Sequence, residues 1–148
     1  MDVFLLIGNL KDKDTNLGCN AMNLLLQESE NSADVYQFFD ELYSLTKEKN
    51  SYMRTRGLLL ICANAGYDNQ NKINAVIDDL LTHTADEKPI TSRQFIAALP
   101  KLAEYKPELK EKIIKALESS KTLQYPDSMR PLVEKDIVNA VNAIKSQN

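Results

Sequence analysis

Apolar residues recur at three- and four-residue spacing through nearly the whole chain, the period of a helix with one face turned to a core. Val3, Leu6, Ile7 and Leu10 predict a short first helix. Leu17, Ala21, Leu24 and Leu25 mark a second, and Val35, Phe38, Phe39, Leu42 and Leu45 a third. From Leu58 to Ala65 every residue but Asn64 is apolar, which predicts a central helix buried on all sides. Ile73, Val76, Ile77, Leu80 and Leu81 form the next stripe. Phe95, Ile96, Leu99 and Leu102 follow, then Leu109, Ile113, Ala116 and Leu117. Leu132, Val133, Ile137, Ala140, Val141 and Ile144 form the last. No strand-like alternation of useful length interrupts them.

The residues between stripes fit helix ends. Ser32 stands where an N-cap would satisfy the first amides of the following helix. Thr91 with Gln94 has capping-box spacing. Gly66 follows a long stripe at the position that takes a left-handed residue. Pro107 suits a first helical position, where a missing N–H costs nothing, and Pro89 and Pro126 lie in polar connectors at 85–90 and 122–127.

The stripes also repeat. A shift of 37 places Arg56 on Arg93, Leu58 on Phe95, Leu59 on Ile96 and Cys62 on Leu99. A shift of 36 places Ile73 on Leu109, Ile77 on Ile113 and Leu81 on Leu117, and a shift of 38 places Ile73 on Val35 and Ile77 on Phe39. The pattern predicts one domain over 1–148, with a capping helix at 1–11, helix pairs at about 16–48, 51–83 and 91–119, and a C-terminal capping helix at 129–146. One such pair cannot bury both of its apolar faces, so pairs stack and the ends need atypical helices.

Composition agrees. With 4 Gly and 5 Pro in 148 residues, the chain lacks the turn residues of an all-β domain. A formal net charge of −3 matches a phosphate backbone poorly and disfavours nucleic acid as partner. Residues 1–50 carry 4 Lys against 9 Asp and Glu, while residues 101–148 carry 9 Lys and Arg against 7, an asymmetry that can orient an encounter or an end-to-end contact. Two cysteines, Cys19 and Cys62, make no disulfide framework. The run Val3 to Ile7 is too short for a signal peptide and follows Asp2 rather than basic residues. No apolar run approaches the roughly 18 residues of a membrane span, so the expected location is the cytoplasm.

The run Phe95-Ile96-Ala97-Ala98-Leu99-Pro100-Lys101-Leu102 resembles the first helix of HEAT and armadillo repeats, in which a mid-helix proline is common. The segment from Pro107-Glu108-Leu109 to Ile113-Ile114-Lys115-Ala116-Leu117 resembles a HEAT second helix. The resemblance covers about 16–119. It implies an all-α, short right-handed superhelical stack of antiparallel helix pairs, with Pro100 kinking its helix. Tyr52-Met53-Arg54-Thr55-Arg56-Gly57 and Asp127-Ser128-Met129-Arg130-Pro131-Leu132 are similar to small bacterial HEAT-like proteins of unassigned role. Some of those are associated with iron–sulphur cofactor assembly.

Arg56, Arg93 and Arg130 recur at intervals of 37, each near a helix start, where a cation opposes the helix dipole. They would form a row of guanidinium groups for an acidic peptide or phosphate, or else make inter-repeat ion pairs with Asp40, Asp78, Asp79 or Glu118. Tyr67 and Tyr105, near turns inside repeats, would rim a partner site or cover their own helix ends, and Tyr52 and Tyr125 precede helices. Cys62 aligns with Leu99 and reads as a core residue. His83, the single histidine, ends a helical stripe. Two Cys and one His do not make a zinc site, and an iron–sulphur cluster needs more thiolates. The adjacent pairs Asp78-Asp79 and Asp86-Glu87 read as solvated charges rather than general acids.

These residues predict no catalytic, metal or cofactor site. The expected function is a non-enzymatic scaffold or adaptor that binds another protein or an acidic peptide, since stacked helix pairs present an extended concave surface. Three other readings stand beside it. One is a HEAT-like glycosylase acting on alkylated bases, disfavoured by acidity and 0 Trp. Another is an accessory subunit in iron–sulphur cofactor assembly, and the last is a homodimer through exposed cap surfaces.

Overall fold

The computed structural model describes residues 1–147. Among them are eight α-helices, four short 3-10 turns and no strand. The helices are α1 (Val3–Asn9), α2 (Thr15–Asn31), α3 (Phe39–Leu45), α4 (Ser51–Ala63), α5 (Lys72–Leu81), α6 (Pro89–Tyr105), α7 (Lys110–Glu118) and α8 (Arg130–Lys145). Each apolar stripe of the sequence has an α-helix over most of its length, with Val35, Phe38, Ala65 and Leu109 falling in or beside the 3-10 turns that adjoin them. The chain forms two compact units, Met1–Gln70 and Asn71–Asn148, divided between α4 and α5, inside the pair expected over 51–83.

In the first unit α2 packs on α1 and α4, and α3 packs on α4. Leu25, Leu42, Leu58, Leu60 and Ile61 are fully buried, and Cys62 lies among them. Burying each such aliphatic side chain contributes about 1.5–3 kcal/mol. On α2 only Ala21 and Leu25 of the expected stripe are buried; Leu17 and Leu24 are each 40% exposed.

Two arginines on α4 are buried as well. Arg54 and Arg56 stand two residues apart, about 200° around the helix, so they leave it on opposite sides. Arg54 donates to the carbonyls of Glu48 (3.0 Å) and Lys49 (2.8 Å), in the chain leaving α3. Arg56 donates to the carbonyls of Leu10 (2.8 Å) and Thr15 (3.5 Å). Leu10 is the C-cap of α1, where helix carbonyls lack partners and favour a cation. Gly18 makes room for this guanidinium: a Cβ there would lie 2.3 Å from Arg56 Cζ. Asn64, buried at the end of α4, donates to Ser29 Oγ (3.0 Å) and ties α4 to α2. Tyr36 donates to the buried carboxylate of Asp68 at 2.5 Å.

In the second unit α6 packs along α8 and against the 3-10 turn Thr82–Ala85, and α7 packs on both α6 and α8. Ile73, Leu80, Phe95, Ile96, Leu99 and Val133 are buried there. The helix α6 runs through Pro100 to Tyr105 without a break, and the Pro100 carbonyl accepts from Gln147 Nε2 at 2.8 Å.

Several expected helix ends lie elsewhere. Ser32 is the C-cap of α2, its N–H bonding to Glu28 O, because α2 continues six residues past Leu25, the last of its apolar stripe. The α6 helix starts at Pro89, ahead of the Thr91 box, since a proline suits the first turn by itself; Thr91 is buried inside the helix and Pro89 belongs to no connector. Gly66 is not left-handed: α4 passes through Asn64 into the 3-10 turn Ala65–Tyr67, which keeps φ negative. Pro107 does open a helical turn, the 3-10 segment Pro107–Leu109 ahead of α7. Asn71, before α5, has the positive φ, 55°.

Candidate docking groove

The second unit carries a groove of about 1230 Å³. One wall is the C-terminal half of α5 with the turn Thr82–Ala85. The other is α7 with the connector that follows it, and Glu134 of α8 also lines it. Leu81, Ala85, Ala116 and Leu123 supply apolar surface, and Leu123 is 83% exposed.

Side-chain donors fasten the connector to three successive carbonyls. Ser120 Oγ donates to Thr84 O (3.0 Å), Gln124 Nε2 to Ala85 O (3.1 Å) and Tyr125 OH to Asp86 O (2.6 Å). Ser92 Oγ on α6 also donates to Thr84 O (2.6 Å). These carbonyls end α5 and its 3-10 extension, where no helical partner remains for them. The groove wall is therefore held by bonds that reach across 36 to 39 residues of chain.

Asp86 stands behind this wall. It is buried, its Oδ1 lies 2.8 Å from His83 Nδ1, and its Oδ2 accepts the Lys88 N–H at 2.8 Å. The expectation of a solvated Asp86 is thus corrected: a turn folds its carboxylate inward, where it closes the entry to α6. Tyr125 is buried too, and burial raises its phenol pKa, as does the nearby Asp86 charge.

Lysines edge the groove. Lys112 pairs with Asp78 at 2.9 Å, and Thr122 Oγ1 donates to Glu134 at 3.2 Å. Lys115 and Lys121 have no ion pair among the described residues. Exposed ammonium groups next to an apolar floor can hold carboxylates while the floor takes an apolar side chain.

The three recurring arginines stand in three different settings. Arg56 is 4% exposed and engages backbone carbonyls. Arg93 bridges α6 to α8 through Asp136 at 2.6 Å, and that hydrogen bond raises its pKa further. Arg130 pairs locally with Asp127. None takes Asp40, Asp78, Asp79 or Glu118 among the described residues; Asp78 pairs with Lys112, and Glu118 faces Lys145 at 3.9 Å. Tyr67 is half-buried, whereas Tyr105 and Tyr52 are 52% and 58% exposed. Cys19 is exposed.

No family model, curated protein or solved structure matches the chain. Among the described residues, no helix is long and apolar enough to cross a membrane, and no three of His, Cys, Asp and Glu gather as metal ligands would. Sequence reasoning passed over Lys112, Lys115, Lys121 and Leu123. A signal was present: two lysines at i, i+3 on α7, and a leucine isolated in a polar connector. What hid the groove is that its second wall comes from 30 to 40 residues earlier in the chain, brought close by hydrogen bonds that periodicity does not encode.

Proposed function

We propose that this chain is a non-enzymatic interaction scaffold of the cytoplasm, a short HEAT/armadillo-type stack, whose groove receives an acidic segment of a protein partner. The observation that carries the reading is the groove itself. It joins an apolar floor to two lysines whose ammonium groups have no ion pair among the described residues, on a wall fixed by side-chain-to-carbonyl bonds. The stacked architecture is supported by packing within each unit, where alternate helices meet, α2 on α4 and α6 on α8. The 37-residue recurrence in the sequence adds to it.

Fluorescence anisotropy with labelled peptides of about ten residues tests the reading. The probes combine two or three Asp or Glu with one Leu or Phe; controls have the acids replaced by Asn and Gln. Acidic probes are expected to bind wild type in the micromolar range, and Lys115→Glu/Lys121→Glu to weaken binding at least tenfold. Raising salt weakens it as well, because exposed charge pairs are screened. Equal binding by wild type and the double variant, or no binding by either, overturns the reading.

A further inference from the structure

The most exposed apolar face of the first unit lies on α1. Phe4 is 75% exposed and Leu5 58% exposed. Gly8 follows at i+4 and i+3 from them, which places the three on one face. A Cβ added at Gly8 would meet nothing within 4 Å, so no contact inside the molecule requires a glycine there. A glycine within a helix weakens it relative to alanine. Here it also leaves a low spot one turn beyond two large apolar side chains, where another surface can come close. Gly18 and Gly57 differ, since each is pressed by a neighbouring element.

The unit that carries this face is acidic: residues 1–70 hold 6 Lys and Arg against 10 Asp and Glu. Two such faces meeting each other would bring like charges together. The groove of the second unit has the opposite balance, with Lys112, Lys115 and Lys121 against Asp78 and Glu134.

We propose that α1 of one copy docks in the second-unit groove of another copy, with Phe4 and Leu5 on the apolar floor and Lys115 and Lys121 drawn to the net acidic first unit. This rests on the reading of the groove as a docking site for an acidic segment, and names a second copy of this chain as the occupant. The contact joins two different surfaces, so it is head-to-tail. Each added copy presents a fresh groove and a fresh α1, and assembly continues unless a ring closes.

Sedimentation velocity of the full chain tests it. The weight-average sedimentation coefficient is expected to rise with concentration and to fall on adding about 0.5 M salt, as screened charges predict. Phe4→Asp/Leu5→Asp blocks one surface and Lys115→Glu/Lys121→Glu the other; all four side chains are exposed, and circular dichroism checks that each variant folds. Each variant alone is expected to remain monomeric. An equimolar mixture has one intact surface of each kind and is expected to form dimers that grow no further. Gly8→Ala is expected to melt higher yet associate at least several-fold more weakly.

A wild type that stays monomeric at all concentrations overturns the proposal. So does self-association that survives Lys115→Glu/Lys121→Glu, or a mixture that forms no dimer. If acidic probe peptides bind the groove while the chain stays monomeric, the docking reading stands and the second copy is the wrong occupant. If neither happens, both fall.

Discussion

Glycine spacing to its neighbours sets three distinct expectations at the scale of single residues. A Cβ at Gly57 would lie 2.5 Å from the Leu42 carbonyl and 2.9 Å from Leu45 Cβ, so Gly57→Ala must push α3 away from α4 and lose about 1–3 kcal/mol. At Gly18 the clash is with the Arg56 guanidinium, whose bond to the α1 C-cap would break; hydrogen bonds to charged groups contribute about 1.5–3 kcal/mol. At Gly8 the space is open, so Gly8→Ala should gain about 0.5–1 kcal/mol. Urea unfolding of the three variants checks the order, and equal losses at all three would refute it. The sequence shows all of these glycines as isolated and alike. It shows the arginines at 56, 93 and 130 as equivalent, too. Their recurrence was legible, but their roles were not, because each role depends on which element lies opposite.

Two tyrosines add a pH dependence. Burial, followed by the hydrogen bond to Asp68, raises the Tyr36 pKa far above its ordinary 10.0; burial and the Asp86 charge raise that of Tyr125. Above pH 10 the unfolded chain loses these protons while the folded chain keeps them. Stability contributed by the two groups is therefore complete below about pH 10 and falls as pH rises beyond it. Tyr36→Phe and Tyr125→Phe should each flatten the fall, at a fixed cost near neutral pH from the lost hydrogen bond. Melting temperatures from pH 8 to 11 test this; parallel curves for wild type and both variants would show that neither phenol is linked to folding.

At the scale of elements, apolar period located the helices and capping chemistry misplaced several of their ends. The stripes at 73–81 and 132–144 lie on α5 and α8, and that at 58–65 lies on α4 up to Ala63 and runs on into the 3-10 turn Ala65–Tyr67. Ser32, a good N-cap type, instead ends α2 as its C-cap, and α6 passes over Thr91, since a threonine inside a helix costs little when packing favours continuation. Besides Asp2 on α1, which accepts from the Leu5 amide at 3.1 Å, the side-chain caps in use are Asp14, accepting from the Asn16 and Leu17 amides at 2.9 and 3.2 Å, and Asn50, accepting from Tyr52 and Met53 at 2.9 and 3.3 Å. Asp14 and Asn50 precede polar or aromatic residues rather than an immediate apolar stripe, which is why the period did not point to them. Asn50→Ala should cost about 1 kcal/mol. Asn50→Asp should keep that stability or add to it, since a carboxylate also suits the positive helix end. A loss for Asn50→Asp as large as for Asn50→Ala would mean that the cap bond is not what holds α4's start.

For the whole molecule, the sequence pattern places its boundaries between helix pairs, one of them in the polar segment at 84–90, whereas the compact units divide at residue 70. The difference has a physical source. The pattern counts apolar periods and sees a polar stretch as a linker. Yet that stretch supplies the carbonyls of Thr84, Ala85 and Asp86 that Ser92, Ser120, Gln124 and Tyr125 bind. Cutting before α6 therefore takes the acceptors from Ser92, Ser120 and Tyr125, while Gln124 keeps the Lys121 carbonyl, and buried donors cost about 1–3 kcal/mol each when unmade. A core of under about 80 residues supplies only some 3–5 kcal/mol, so such losses are enough to unfold it. A fragment spanning 71–148 keeps every one of these bonds and should melt cooperatively with strong helical circular dichroism. A fragment spanning 89–148 retains α6, α7 and α8, which pack on one another, yet should show weak helicity and no cooperative melt. Serine-to-alanine changes at 92 and 120 in the longer fragment should move it toward the shorter one's behaviour. Cooperative folding of 89–148 by itself would return the boundary to where the apolar period puts it.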